Sequence, residues 1–429
     1  MSLSQIFAAL VVSTRINTFM KSVTQKGKGD LLWTLYVINT FSWGFVLLNT
    51  ISAFSRTGII FPSIVNLTAI TAYFSAATFS IVGALLHDFS KRYDVILMWT
   101  FGGFFLSAFL LFLNVTEIWQ ATILGVVLGF FASLCLPSIL SDLLNFTNYE
   151  NRGLISGLTF FTIYLIIIIF SILAQFLHAI FLIGLAFWRL IGFYVLTTYG
   201  KMCSAQTSTH SSPVVGVSKQ HLRHTFNVEK VVRFIMIFLL FSIVDGIQQI
   251  FIVRSYGMET LRVIGLIEFG VALPIMVLGG WFIDHYGRRP SYAFSFACVG
   301  FAYLTLGALP KCWFLYAILD GIGWALLTVC FILVIWGDIA YGVSRSVYIA
   351  ICLASALILS GLRDFIAPLV PHYTFLQALA IALFFLFIAA VFVVTAPETL
   401  PEEILEARRV KRYIRAALKV KEEFEKRGS

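Results

Sequence analysis

Twelve apolar stretches, each long enough to cross a bilayer, decide what this chain can fold into. They fall at 31–54, 60–86, 94–114, 117–141, 153–176 and 178–199, then at 231–252, 258–282, 291–309, 312–337, 347–369 and 374–396. A crossing helix needs about 20 such residues. Lipid offers backbone N–H and C=O groups no partner, so each stretch must satisfy them internally as a helix. The expected fold class is an all-α membrane protein with twelve transmembrane helices. Composition agrees: 59% of the chain is apolar and 12% charged, against about 45–50% and 25% in soluble domains.

The basic residues set the orientation. With both termini on the cytoplasmic side, the inner loops and tails carry 23 Lys/Arg and the outer loops 5, namely Arg56, Arg254, Arg262, Lys311 and Arg363. Arg189 and Arg233 lie within spans and complete the 30. This bias follows the positive-inside rule. It also supports an even number of crossings, because an odd count would break the alternation. The expected location is the cell membrane, multi-pass.

The two halves repeat at an offset of 196 residues. Gly83 falls on Gly279, Asp88 on Asp284, Arg92 on Arg288, Asp142 on Asp338 and Ile155 on Ile351. Each half thus places one Asp after its second span and another after its fourth, the latter followed by Arg152 or Arg345. The expected organisation is a cytoplasmic tail over 1–30, a six-helix bundle over 31–199 and a polar linker over 200–230. A second six-helix bundle covers 231–396, and a basic amphipathic tail covers 397–429. Parallel six-helix repeats enclosing a mid-membrane cavity describe one large class of transporters.

One inner loop carries a sharp motif: Gly280-Trp281-Phe282-Ile283-Asp284-His285-Tyr286-Gly287-Arg288-Arg289. Gly280 permits close helix approach and Gly287 a tight turn. Asp284 suits the N-terminus of a helix in the opposing bundle, and Arg288 and Arg289 suit carboxylates or lipid phosphates. The pattern G-x-x-x-D-x-x-G-R-R resembles the signature loop of the major facilitator superfamily. The resemblance implies two rocking bundles and a latch on the cytoplasmic face. That latch would comprise Gly280, Asp284, Gly287, Arg288 and Arg289 with Asp88, Arg92, Asp142, Arg152, Asp338 and Arg345. The first-half copy is degenerate, with Ala84 and Lys91 where the pattern has Gly. Pro397-Glu398-Thr399 after the last span and Gln248-Gln249 in the seventh are similar to features of the sugar-porter and metabolite–proton symporter branches. The Gly and Asn that should follow the glutamines are absent, as are a first-span Asp and a fourth-span Arg.

An ionised side chain at mid-bilayer costs about 2.5–3.5 kcal/mol, so those present are functional candidates. They are Asp245, Glu268, Asp320 and Arg189. Asp245 lies one turn before Gln248 and Gln249, and its repeat equivalent is Asn49. The expectation is that Asp245 titrates while Gln248, Gln249 and Asn49 hydrogen-bond the substrate. Glu268 and Asp320 are candidates for the same titrating role. Arg189 pairs with one of these acids, holds an anionic solute or snorkels to the surface. Arg363 and Asp364 read as a surface ion pair.

Other chemistries find little support. Cys135, Cys203, Cys298, Cys312, Cys330 and Cys352 have no metal-ligand or disulfide spacing, and His210, His221 and His224 share no helix face with a third ligand. No catalytic spacing or P-loop appears, so neither an enzyme nor a cofactor or metal is expected. The basic tail 402–426, with Val410, Tyr413, Ile414, Ala417, Leu418 and Phe424 as its apolar stripe, suits the anionic inner leaflet and not nucleic acid. The expected function is secondary active transport of a small solute, a sugar or organic acid, by alternating access with protons as the coupling partner, in a monomer. Efflux of hydrophobic compounds on the same fold is the alternative. A non-transporting sensor on a transporter scaffold is a third reading.

Overall fold

The structure, a computed structural model, describes residues 28–49, 51, 54, 60–61, 64–209, 228–340, 342–366 and 375–400, and within the tail 404–407, 410, 413–414 and 417. The described chain is helical: α1 Lys28–Asn49, α2 Val65–Leu85, α3 Arg92–Phe109, α4 Ile118–Ser133, α5 Leu136–Asn145, α6 Arg152–Phe176 and α7 His178–Thr209. The second half follows as α8 Val228–Tyr286, α9 Arg288–Ala308, α10 Trp313–Thr328, a π-helical turn Val329–Val334, α11 Ile335–Ile339, α12 Gly342–Ile366 and α13 Phe375–Thr395. Among the described residues, ten helices are long and apolar enough to cross a membrane. α3 is 18 residues long and begins with Arg92 and has Asp94 in its first turn. α13 is 21 residues long, and its described stretch Ala382–Thr395 is apolar throughout.

Two boundaries differ from the sequence expectation. α7 continues through Thr209 and so takes in the first ten residues of the expected linker, 200–209. Residues 200–209 contain no Gly after Gly200 and no Pro, so nothing in them ends a helix. The remainder of the linker, most of the N-terminal tail and most of the C-terminal tail lie outside the described residues, as do the side chains of Arg363 and Asp364. Between the seventh and eighth apolar stretches the chain makes a single break within α8, at Gly257, whose φ of +82° is open to glycine alone at little cost.

The fourth and tenth stretches are interrupted at matching places. α4 gives way to α5 at Leu134 and Cys135, just before Pro137, which lacks an N–H for the helical ladder. At the 196-residue offset Leu134 falls on Cys330, inside the π turn Val329–Val334. The second half has Leu333 where the first has Pro137. It loosens the helix through i→i+5 bonding instead, a form found mostly as single functional turns.

Packing follows the halves. α1 packs on α6 and α7, α2 on α4, and α3 on α7, while α9 and α10 pack together and against α8, and α13 packs on α8 and α9. α2 meets α12, and α6 meets α8, across the halves. Phe112, Met98, Phe176 and Phe387 are exposed on the outside, where hydrocarbon rather than water is the compatible solvent. Close helix approach depends on small residues rather than on hydrophobic drive. A Cβ on Gly83 would lie 1.4 Å from the Leu134 carbonyl oxygen. Gly83→Ala must therefore push α2 away from the α4–α5 junction. Overpacking of this kind costs about 1–3 kcal/mol, expected as a lower thermal unfolding midpoint in detergent. An unchanged midpoint would show that the junction yields freely.

Candidate transport site and charged closure

Three carboxyls cluster in the second half. Asp245 on α8 is 8% exposed. It accepts hydrogen bonds from Gln249 Nε2 at 2.9 Å and from Trp324 Nε1 on α10 at 3.1 Å. Asp320 is buried on α10 and accepts from the Tyr316 hydroxyl at 3.5 Å. Glu268, half-buried on the second arm of α8, lies beside Asp320, and Asp245 is near enough to act electrostatically on both. Tyr303 and Tyr316 stack at 6.0 Å beside the same carboxyls. Tyr164 of α6, in the other half, packs its ring 5.3 Å from that of Phe269, next in sequence to Glu268.

The remaining candidates go elsewhere. Gln248 is fully buried, and its amide atoms have no hydrogen-bond partner. Asn49 is exposed; it donates to the Phe45 carbonyl at 3.0 Å and accepts from the Tyr73 hydroxyl at 3.3 Å, both within the first half. Arg189 is fully buried, so it does not snorkel. Its guanidinium lies between the Trp43 and Trp99 rings, 4.5 and 4.6 Å from their centroids. Nη1 donates to Thr40 Oγ1 at 3.0 Å and to Asn39 Oδ1 at 3.5 Å. Among the described residues its partners are these neutral groups rather than an acid. A desolvated cation–π contact of this kind is worth about 2 kcal/mol.

A second network ties the halves together at the end of the molecule that bears the Gly280–Arg289 loop. Asp284 accepts from the Gly153 and Leu154 N–H groups at 2.9 and 2.8 Å, in the first turn of α6, where the helix dipole favours a carboxylate. The backbones can approach that closely because both partners are glycine: a Cβ on Gly153 would sit 2.4 Å from the Gly280 carbonyl oxygen, and one on Gly280 2.3 Å from that of Gly153. Asp338 is the hub. It takes Arg288 Nε at 2.7 Å, Arg152 Nη1 and the Thr399 hydroxyl at 3.0 Å. Arg288 also donates to the Tyr149 carbonyl at 2.9 Å. Glu398 accepts from the Arg288 and Arg289 N–H groups, each at 3.1 Å, capping α9. Gly287, at φ +106°, turns the chain into that cap. Arg289 donates its side chain to the Val394 carbonyl at 2.6 Å.

The first-half copy is sparser. Arg92 pairs with Asp142 at 3.0 Å and contacts His87 Nδ1 at the same distance. Arg345 donates to Asn145 Oδ1 at 2.8 Å and to the Ser141 carbonyl at 3.2 Å, crossing between the halves. Asp88 is exposed and takes part in none of the contacts just named. The loss of Gly at positions 84 and 91 is the sequence sign of this asymmetry.

Several participants were not singled out from sequence. Trp324, Tyr316, Tyr303 and Tyr164 look like ordinary apolar-span residues until tertiary packing gathers them. Gly153 and Gly157, by contrast, form a small-xxx-small pair, a pattern that marks close helix contacts in membranes. Glu398 and Thr399 stood out only as a motif, and their partners lie far away in sequence.

No family profile and no curated protein matches this sequence. Solved structures do. The proton:xylose symporter XylE bound to 6-bromo-6-deoxy-D-glucose, titled as a major facilitator superfamily protein, aligns with a TM-score of 0.65 at 14% identity, over 87% of this chain and 96% of that one. A bacterial homologue of the iron transporter ferroportin in an outward-facing state aligns with a TM-score of 0.64 at 14% identity, over 86% and 99%. A double Trp mutant of XylE gives 0.60 at 16% identity, over 89% and 98%. Over 86–89% of its length, this chain shares the fold of those transporter structures.

Proposed function

We propose that the protein is a secondary active transporter of a small solute, working by alternating access between two six-helix bundles. In this reading α3 and α13 also cross, which makes twelve spans. Residues 31–199 and 231–396 are the moving bundles. The loop end is cytoplasmic, both termini lie there, and the protein sits as a monomer in the cell membrane with its basic tail on anionic lipid. Two networks divide the work. Asp284, Arg288, Asp338, Arg152, Arg345 and Arg92–Asp142 hold the cytoplasmic face shut. Asp245, Glu268 and Asp320 respond to proton or solute.

The observation that carries the proposal is the carboxyl cluster within the spans. Groups so costly to place in a membrane are retained where a solute path runs between bundles. Asp245 already has two donors, Gln249 and Trp324. Protonation would weaken both contacts and free those groups for a solute, which couples the two events. In proteoliposomes, an imposed pH gradient is expected to drive uptake in the wild type. Asp245→Asn should lose the gradient response while keeping counterflow exchange. Full gradient-driven uptake in the variant would remove Asp245 from coupling. No solute flux of any kind would end the transporter reading.

A further inference from the structure

The shape and chemistry around Glu268 and Asp320 carry the reading further, to the class of solute. The two residues meet because Gly321 has no side chain: a Cβ there would lie 2.8 Å from the Glu268 carbonyl oxygen and 3.0 Å from its Cα. Asp320 is 1% exposed, and its Oδ1 has no hydrogen-bond partner. The Tyr303 hydroxyl, fully buried beside the same carboxyls, has none either. Among the described residues neither Glu268 nor Asp320 takes part in an ion pair. The buried cation nearest in kind, Arg189, is held in the first half by Trp43, Trp99, Asn39 and Thr40.

Aromatic side chains surround these acids. Trp324 donates to Asp245, Tyr316 to Asp320, and Tyr164 sits by Glu268 with its ring 5.3 Å from that of Phe269. A Cβ added at Gly246, next to Asp245, or at Gly265, one turn before Glu268, would meet nothing within 4 Å. A carboxyl group with an unpartnered acceptor oxygen, set among π-faces, is what binds an ammonium group: the charge is met by the carboxylate and the flanking C–H groups by the rings. An anionic solute would meet like charge at the same place.

We propose that Asp320, Glu268 and Trp324 form a binding site for a small organic cation, an amine or quaternary ammonium, and that such a cation is the transported solute. The proposal rests on the transporter reading above and replaces an organic acid as the substrate class. A permanently charged probe separates cation recognition from proton uptake. Equilibrium binding of radiolabelled benzyltrimethylammonium to the full chain in lipid nanodiscs is expected to saturate. Benzyl alcohol, xylose and benzoate should displace it at least about tenfold more weakly than the unlabelled cation, which corresponds to about 1.4 kcal/mol. Asp320→Asn and Glu268→Gln should each weaken binding by at least about tenfold with unaltered thermal midpoints. Glu268 is only partly buried, unlike Asp320, so Glu268→Gln keeps the test intact should Asp320→Asn fail to fold. Absence of saturable binding, equal displacement by benzyl alcohol or xylose, or wild-type affinity in both variants would overturn the site. Xylose flux in liposomes without cation binding would overturn the site and leave the transporter standing. Cation binding without any flux would overturn transport and leave the site.

Discussion

Asp338→Asn is expected to open the charged end of the molecule. The substitution removes the one carboxylate shared by Arg152 and Arg288, and with it the acceptor for Thr399. Arg288 is fully buried and Arg152 nearly so. Breaking a buried ion pair by deleting one partner costs about 3–5 kcal/mol, because the surviving charge stays desolvated. The arrangement that bears this cost is the closed one; separation of the halves lets water reach both guanidinium groups. At about 1.4 kcal/mol per factor of ten, the balance between closed and open ends should shift by a hundredfold or more. Spin labels at Glu150 and Tyr286, exposed positions on the two sides of the junction, read this directly. Their distance distribution should gain a longer component in Asp338→Asn, and net uptake should fall. An unaltered distribution would show that the buried arginines do not hold the halves together.

Gly280→Val is expected to have the same outcome by a different cause. A Cβ at this position would lie 2.3 Å from the Gly153 carbonyl oxygen and 3.1 Å from Leu154 Cα. Backbone atoms cannot give way as a side-chain tip can, so α6 and α8 must separate by about 1 Å to restore van der Waals contact. The Asp284 hydrogen bonds to Gly153 and Leu154, at 2.9 and 2.8 Å, would stretch beyond useful range. The steric and electrostatic parts of the closure would fail together. Gly280→Ala should do the same to a smaller extent, and both should lengthen the label distance without altering cation binding at Glu268 and Asp320. If Gly280→Val transports at the wild-type rate, tight contact at this point is not needed for the cycle.

The two networks differ in how far the sequence announces them. Asp284, Gly287, Arg288 and Arg289 were visible because a short polar motif between apolar stretches is itself unusual. Asp338 and Arg152 were visible through the repeat. The donors that Asp284 uses are backbone groups 130 residues away, and backbone groups carry no sequence mark. Gly153 and Gly157 could have been found from their four-residue spacing. Glu398 was legible as a motif, yet its task of capping α9 follows only from where the chain returns after α13.

The carboxyl cluster shows the same limit more sharply. Asp245, Glu268 and Asp320 stood out one by one because each is costly in a membrane. Gln249 was expected to hydrogen-bond the substrate; in the structure it donates to Asp245, one turn before it on the same helix. Gln248 was expected to bind the substrate beside Gln249, but a one-residue step rotates a helical side chain by about 100°, and Gln248 is buried with its amide atoms unpartnered. Arg189 was expected to pair or to snorkel, and the two tryptophans that hold it come from other helices. The matching interruptions at Leu134 and at the π turn Val329–Val334 were hidden too, because a Pro in one half and a change of helical hydrogen bonding in the other leave no common residue pattern.

By itself the sequence determined the helical class, the apolar stretches, the repeat offset and the identity of the costly charges. These depend on local hydropathy and on residue type, which are properties of the chain read in order. Tertiary structure alone decided which charges meet, that Asp338 serves two arginines, that Arg189 stays apart from the acids, and that Asp320 and Glu268 lie together among aromatic side chains. The physical reason is distance: those pairings join residues from different helices, and close packing at positions such as Gly280 and Gly321 brings them within bonding range.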